Sequence, residues 1–321
     1  MILFFSVVII INLIFYLLSD NIAKVLKLYD NPDKIRKFHK AKTPITGGIL
    51  VLINIIIFYL FSDIESYPVS KVFFSACLLI FCLGIFDDKF KISPNIKLIL
   101  IFILVLYIIG LSDNLLISEI RLSFLDKIID LGFLSLFWTI LCFVLFINAL
   151  NMFDGINCQV AIYSIFLSLF FIFNNYQIIF FILMIIGLFT FLVLNIKSKS
   201  FFGDGGTYLL SFVFSYFFIK FYNDNKIIFS DQIVLLMIVP GLDLIRLFFT
   251  RLYNNKYPFS PDRNHLHHIL NKNYNLIWTN FIIQSLIIIP TILSIIFGYV
   301  FIFLLITVLI YLLIIFKYKK N

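Results

Sequence analysis

Charge is scarce in this chain of 321 residues: Asp, Glu, Lys and Arg make up 13% of it, against 62% hydrophobic residues, where a soluble protein carries about a quarter charged. That shortage excludes an ordinary soluble enzyme. Cysteine is scarce as well, four in all. Cys77, Cys82, Cys142 and Cys158 form no Cys-x-x-Cys pair and read as free, mostly buried thiols. No repeat, low-complexity tail or polar linker interrupts the chain, and residues 1–321 read as a single domain. The first apolar run lacks a basic start and a small-residue cleavage site, and its positive charge follows it, so it reads as a span and not as a cleaved signal.

Apolar runs of the length needed to cross a hydrocarbon core of about 30 Å recur from end to end. They predict an all-α, polytopic membrane helix bundle with eleven spans, near residues 2–19, 46–62, 69–86, 95–112, 132–150, 160–174, 176–195, 206–222, 231–250, 276–297 and 299–316. The division at Gly298 is the least sharp, because residues 279–316 contain no charge. Basic residues set the orientation. With the N-terminus outside and the C-terminus inside, all of the 25 Lys and Arg except Lys71, Arg121, Lys127, Lys220 and Lys226 fall on the cytoplasmic side. That inner face is electropositive and suits anionic lipids and anionic small molecules.

The unusual polar residues gather in, or at the ends of, the inner loops. Asp87 and Asp88 end the third span; adjacent carboxylates repel and need a cation, basic neighbours or a shared proton. A hard divalent ion such as Mg²⁺ suits them, and a solvated helix end with Lys89 and Lys91 as counter-charges is the plainer alternative. Asn148, Asn151 and Asp154 recur every three residues, so they share one helix face. There they either bind a ligand or hydrogen-bond to a neighbouring helix. Gly203-Asp204-Gly205-Gly206-Thr207 opens the eighth span; glycine permits close approach, and a helix N-terminus favours phosphate. Asp204 cannot itself neutralise phosphate but can ligate a metal that does; a simple N-cap turn is the alternative. Three of the four histidines, His265, His267 and His268, follow Arg263 within five positions. Imidazoles there suit a diphosphate, and less well a zinc ion, since no cysteine is near.

In this order and on one side, the four clusters resemble the polyprenyl-phosphate N-acetylhexosamine-1-phosphate transferases, from about residue 29 to residue 270. The resemblance includes Asp30-Asn31-Pro32-Asp33-Lys34-Ile35-Arg36-Lys37-Phe38-His39 and Pro44-Ile45-Thr46-Gly47-Gly48. Ser260-Pro261-Asp262-Arg263 followed by His265-Leu266-His267-His268 looks like the bacterial branch that starts O-antigen, enterobacterial common antigen or teichoic-acid linkage units with GlcNAc-1-phosphate. The peptidoglycan branch, which transfers phospho-N-acetylmuramoyl-pentapeptide, typically has three consecutive histidines.

The resemblance implies a catalytic set of Asp87, Asp88, Asp154, His265, His267 and His268, with Asp87 and Asp88 at the acceptor phosphate and the imidazoles facing the donor diphosphate. Asn148, Asn151, Lys42 and Arg263 would bind substrate, and Asp204 with Asn151 would hold Mg²⁺, or Mn²⁺ in its place. The implied partners are a UDP-N-acetylhexosamine, undecaprenyl phosphate and the lipid bilayer, without nucleic acid and with a homodimer left open. Two departures stand out. Where the family commonly continues Asp154-Gly155 with a residue and then Asp-Gly, this chain has Ile156-Asn157-Cys158; the metal turn ends in Thr207 in place of Ser.

A transporter is the rival reading, since multipass bundles with carboxylates are often transporters. Transport sites lie near the bilayer midplane, whereas these carboxylates fall at inner ends. Asp243 and Arg246, three apart inside the ninth span, are the exception. They read either as a local ion pair or as support for the site.

Overall fold

In the computed structural model, residues 2–32, 42–62, 71–112, 114–258 and 262–319 are described. Residues 33–39 of the early motif and residues 259–261 before the histidines lie outside them. The helices in chain order are α1 (Ile2–Leu26), α2 (Gly47–Ser62), α3 (Lys71–Phe90), α4 (Pro94–Leu111), α5 (Ser135–Phe153), α6 (Gln159–Phe173), α7 (Ile178–Ile196), α8 (Gly203–Asn223), α9 (Ser230–Leu236), α10 (Ile238–Tyr253), α11 (Leu266–Asn271), α12 (Leu276–Phe297) and α13 (Val300–Lys319). Two-residue strands form two antiparallel pairs: β1 (Tyr29–Asp30) with β2 (Thr43–Pro44), and β3 (Glu119–Ile120) with β4 (Ile129–Asp130).

Every expected span but the ninth coincides with a single helix. Among the described residues six helices are long and apolar enough to cross a membrane: α1, α4, α5, α7, α12 and α13. The protein is a multi-pass membrane protein. α2 and α6 are apolar but shorter, and α3 and α8, of 20 and 21 residues, carry charged motifs at their ends. The division at Gly298 is a helix end, with Gly298 in the left-handed region at φ 76°.

The ninth span differs from its expected form. It is broken into α9 and α10, bent by 78° at Met237. Pro240 accounts for the break: a proline has no N–H to give, and its ring collides with the carbonyl four residues back, which is Leu236, the last residue of α9.

The chain forms two compact units, Met1–Ser112 with Val160–Phe214, and Asp113–Gln159 with Ser215–Asn321. In the first, α2 packs on α7 and α1. Asn12 and Asn54, both buried, exchange side-chain hydrogen bonds at 3.0 and 3.1 Å, which satisfies two amides that an apolar interior would otherwise penalise. Phenylalanine fills the rest, as where Phe171 stacks on Phe181 at 4.4 Å. In the second unit α5 packs on α10, and α12 on α13. The β3–β4 hairpin is fixed by Arg121, whose Nη1 donates to Asn225 at 2.6 Å and whose guanidinium lies 4.6 Å from the centre of the Tyr222 ring.

Candidate active site

In the first unit the early glycine motif and the Asp-Asp motif meet the start of α8. Gly47 N–H donates to the Phe201 carbonyl at 3.0 Å, and the buried Thr46 hydroxyl meets Ser200 Oγ at 2.8 Å. A Cβ on Gly48 would stand 2.5 Å from the Gly206 nitrogen, and one on Gly84 would stand 2.5 Å from the Asp204 carbonyl oxygen. Only glycine allows α2 and α3 to approach the backbone of that turn so closely.

The close approach puts Asp88 under the turn. Its carboxylate accepts the backbone N–H of Asp204 at 2.9 Å and of Gly205 at 3.1 Å. These are orphan donors of the α8 N-terminus, so a carboxylate from another helix satisfies them and complements the dipole. Asp87, almost wholly buried, accepts the Ile92 N–H at 3.0 Å and the Tyr208 hydroxyl at 3.1 Å, and forms an ion pair with Lys97. The Lys97 ammonium also lies 3.7 Å from Asp204, whose side chain keeps 30% exposure.

Three carboxylates and one ammonium therefore share a small volume around a helix N-terminus. Asp87 and Asp88 are engaged with protein donors, while Asp204 is the member turned toward accessible space. Sequence reading counted Lys97 only as an inward positive charge and missed Tyr208. The signal for Lys97 was its place in the first turn of α4, where Ser93 and Pro94 begin the helix just past the Asp-Asp motif.

The second unit holds the other motifs. Asn148 and Asn151 lie on α5, with Asn148 donating to its own helix at the Val144 carbonyl, 2.7 Å away. Asp154 is not on the helix face expected for it: it is the C-cap, with φ −77° and ψ 66°. A carboxylate is disfavoured at the negative end of a helix dipole, so helix stability alone does not account for this position.

His265 is the N-cap of α11, with His267 and His268 on its first turn. The rings form a cluster: His265 and His267 lie nearly parallel with centroids 5.3 Å apart, and His267 and His268 are 4.3 Å apart. His267 is buried against Gly155, where any Cβ would overlap its ring, so the Asp154-Gly155 turn and the histidines are joined by direct packing. Burial, reinforced by the neighbouring His268 and His265, pushes the His267 imidazole well below its usual range. Burial, with His265 and Arg263 beside it, lowers His268 to about 4. Both rings are neutral at neutral pH, each with one N–H to donate and one nitrogen to accept.

Asp243 and Arg246 form the expected ion pair, at 2.7 Å, and Asp243 also takes His265 Nδ1 at 2.9 Å. Arg251 donates to Asp262 at 2.8 Å and to the Pro258 carbonyl at 2.7 Å. Lys42 lies elsewhere in the first unit, exposed at the start of β2 with its ammonium 4.3 Å from the centre of the Tyr29 ring. Arg263 is exposed in the loop before α11.

Residues 70–222 match the model of glycosyl transferase family 4. The chain is 29% identical over 271 residues to the undecaprenyl-phosphate alpha-N-acetylglucosaminyl 1-phosphate transferase of Escherichia coli O157:H7, covering 80% of this chain and 72% of that protein. It is 28% identical over 251 residues to the protein of the same name from Thermotoga maritima, covering 78% and 75%. Over residues 70–222 the chain is thus similar to glycosyl transferase family 4.

The relatives are phosphoglycosyltransferases by name, and the likeness supports a transferase. The chain's departures from the family pattern have visible settings. Thr207 keeps the hydroxyl of the usual Ser and uses it within α8, donating to Gly203 and Asp204 carbonyls at 3.2 and 3.3 Å. Cys158, where the family commonly has glycine, adopts φ 72°. This is the left-handed backbone that glycine takes without penalty and other residues take at about 1–2 kcal/mol.

Proposed function

We propose that this protein transfers an N-acetylhexosamine-1-phosphate, GlcNAc-1-phosphate foremost, from a UDP-sugar to undecaprenyl phosphate, releasing UMP. The reaction takes place at the cytoplasmic face of a bacterial inner membrane and starts a lipid-linked envelope glycan. The observation that carries the proposal is the turn at the start of α8, where Asp88 holds the Asp204 and Gly205 amides and Lys97 lies by Asp87 and Asp204. The names of the family relatives, and the excess of basic residues on one side, support the acceptor and the orientation.

The donor set fits Mg²⁺. Among the described residues no three of His, Cys, Asp or Glu are arranged to hold a metal by themselves, and Mg²⁺ asks for less. It keeps several waters and is usually bound by one or two carboxylates completed by substrate phosphates. Asp204, oxygen-donating and partly exposed, is the residue that would hold it; Asn151, the second ligand expected from sequence, is on α5. When bound, the ion offsets the charge of the donor diphosphate and favours departure of UMP.

This chain's own residues supply the rest. The acceptor is a phosphate monoester with a second pKa near about 6, largely ionised already, so no strong base is required. The task is to bring two anions together. Lys97 offers the acceptor phosphate an ammonium, which Asp87 holds in place while the Tyr208 hydroxyl donates to Asp87. Asp88 keeps the Asp204 turn in register. Neutral His267 and His268 donate hydrogen bonds to the diphosphate without adding charge, and Asn148, Asn151 and Asp154 hold the nucleotide-sugar.

Purified protein with undecaprenyl phosphate and Mg²⁺, offered UDP-GlcNAc, UDP-GalNAc, a 6-deoxy analogue or UDP-MurNAc-pentapeptide separately, should release UMP and form a lipid-linked pyrophosphoryl sugar. Release of UDP would mean attack at the sugar carbon and refute the reaction type. Turnover with the pentapeptide donor alone would refute the branch. A folded protein inert with every donor would favour the transporter.

A further inference from the structure

Asp243 belongs to none of the four motif clusters, yet its buried carboxylate is engaged by four donors. Oδ1 accepts Arg246 Nη2 at 2.7 Å, the Tyr311 hydroxyl at 2.8 Å and the Leu266 N–H at 3.1 Å. Oδ2 meets His265 Nδ1 at 2.9 Å. Tyr311 comes from α13, residues away from every motif, and its hydroxyl accepts Arg246 Nε at 2.8 Å. Arg246 also donates to the Asn264 carbonyl at 2.5 Å, beside His265. Charge, ring and backbone of this segment are thus tied to one carboxylate.

An ionised carboxylate only accepts hydrogen bonds. His265 Nδ1 must therefore carry a proton, and Nε2, on the opposite edge of the ring, has no hydrogen-bond partner among the described residues and is the atom left for a ligand. A carboxylate that orients an imidazole in this way fixes both its angle and its tautomer. We propose that Asp243 is the positioning residue of His265, clamped in turn by Arg246 and by Tyr311 of α13, and that it presents Nε2 of His265 to the UDP-sugar. This rests on the transferase reading above and adds to it a residue and a helix outside the four motif clusters.

Asp243→Asn tests it sharply. The three donors at Oδ1 hold the amide oxygen there, so the amide nitrogen faces His265. Nδ1 then has to accept, and the ring's proton moves to Nε2. Turnover with UDP-GlcNAc should fall about ten- to a hundredfold, the range for one charge-assisted hydrogen bond. In a His265→Ala background the same substitution should change turnover by less than about twofold, because residues that act as one unit do not add. Tyr311→Phe, the milder variant, should lower turnover about two- to tenfold and likewise lose its effect in His265→Ala.

Nitrogen NMR of histidine-labelled protein supplies a readout independent of turnover. The parent should show an Nδ1–H signal that His265→Ala removes and Asp243→Asn converts to Nε2–H. An Nε2–H tautomer for His265 in the parent would overturn the proposal. So would losses that add in the double variants, the mark of a merely structural carboxylate. An inert parent would bring down the transferase reading together with this one, whereas an active parent with additive losses would bring down this one alone.

Discussion

Gly84→Ala adds one methyl group where α3 touches the turn that bears Asp204. The new Cβ would lie 2.5 Å from both the Asp204 carbonyl oxygen and Gly205 Cα, all of it backbone. Non-bonded carbon contacts settle near about 3.5 Å, so helix and turn must part by about 1 Å. The Asp88 hydrogen bonds at 2.9 and 3.1 Å would stretch toward about 4 Å, beyond useful range. A misplacement of about 1 Å at reacting groups lowers a rate on the order of a hundredfold. Overpacking destabilises by about 1–3 kcal/mol, while Ala gains up to about 1 kcal/mol over Gly in a helix, leaving a net loss of roughly 0–2 kcal/mol. Gly110→Ala is the control, since no atom lies within 4 Å of its Cβ position; it should raise the unfolding temperature slightly and leave turnover unchanged. UMP release and thermal unfolding in detergent measure both. If Gly84→Ala kept parental turnover, the turn would not need its grip on α3, and the site built on that grip would be wrong.

Asp204→Asn should abolish turnover or move its Mg²⁺ dependence to much higher concentration; full activity at unchanged Mg²⁺ would exclude Asp204 as the ligand. His268 has its folded pKa lowered to about 4, so its stabilising contribution is whole above the unfolded value of about 6.5 and is lost as pH falls toward 4. The parent's unfolding temperature should accordingly drop more than that of His268→Gln between pH 7.5 and 5, and equal drops would contradict the buried, neutral ring. A cysteine at Lys317 should react with impermeant thiol reagents only in opened cells, and labelling of intact cells would reverse the orientation.

The helices were legible because apolar runs of span length leave the chain few other choices in a membrane, and every expected span but the ninth falls on a single helix. The bend at Met237 was missed, although Pro240 announced it, because hydropathy windows average over a proline. Asp87, Asp88 and Asp204 were recognisable as chemistry-bearing residues, but their division of labour was not. That Asp88 would cap α8 from another helix depends on Gly48 and Gly84 letting three backbones meet, a long-range fact invisible to spacing. The same holds for Lys97 and Tyr311, which look like an ordinary basic residue and an ordinary aromatic until the fold places them beside Asp87 and Asp243. Asp154 was read by periodicity as a third step along a helix face, and the helix ends one residue too soon for that.

The Asn157-Cys158 departure shows how a family turn tolerates the wrong residue. A non-glycine at φ 72° persists only if its surroundings hold it there. The clamp is on α12. Asn280, one turn before Gln284 on the same helix face, donates to the Asn157 carbonyl at 3.0 Å, and Gln284 donates to the Gln159 carbonyl at 2.9 Å. Two amides thus grip the backbone on either side of Cys158, at an end of α6 that continues directly into the membrane bundle. Each such bond contributes about 0.5–1.5 kcal/mol net, enough together to offset a left-handed penalty of about 1–2 kcal/mol. The turn after Asp154-Gly155 can therefore keep its path, and with it the packing of Gly155 on His267, without the glycine that makes such a path free. What changes is the chemistry shown at the turn: an amide at Asn157 where the family commonly has a carboxylate, and a thiol at Cys158 in place of bare backbone.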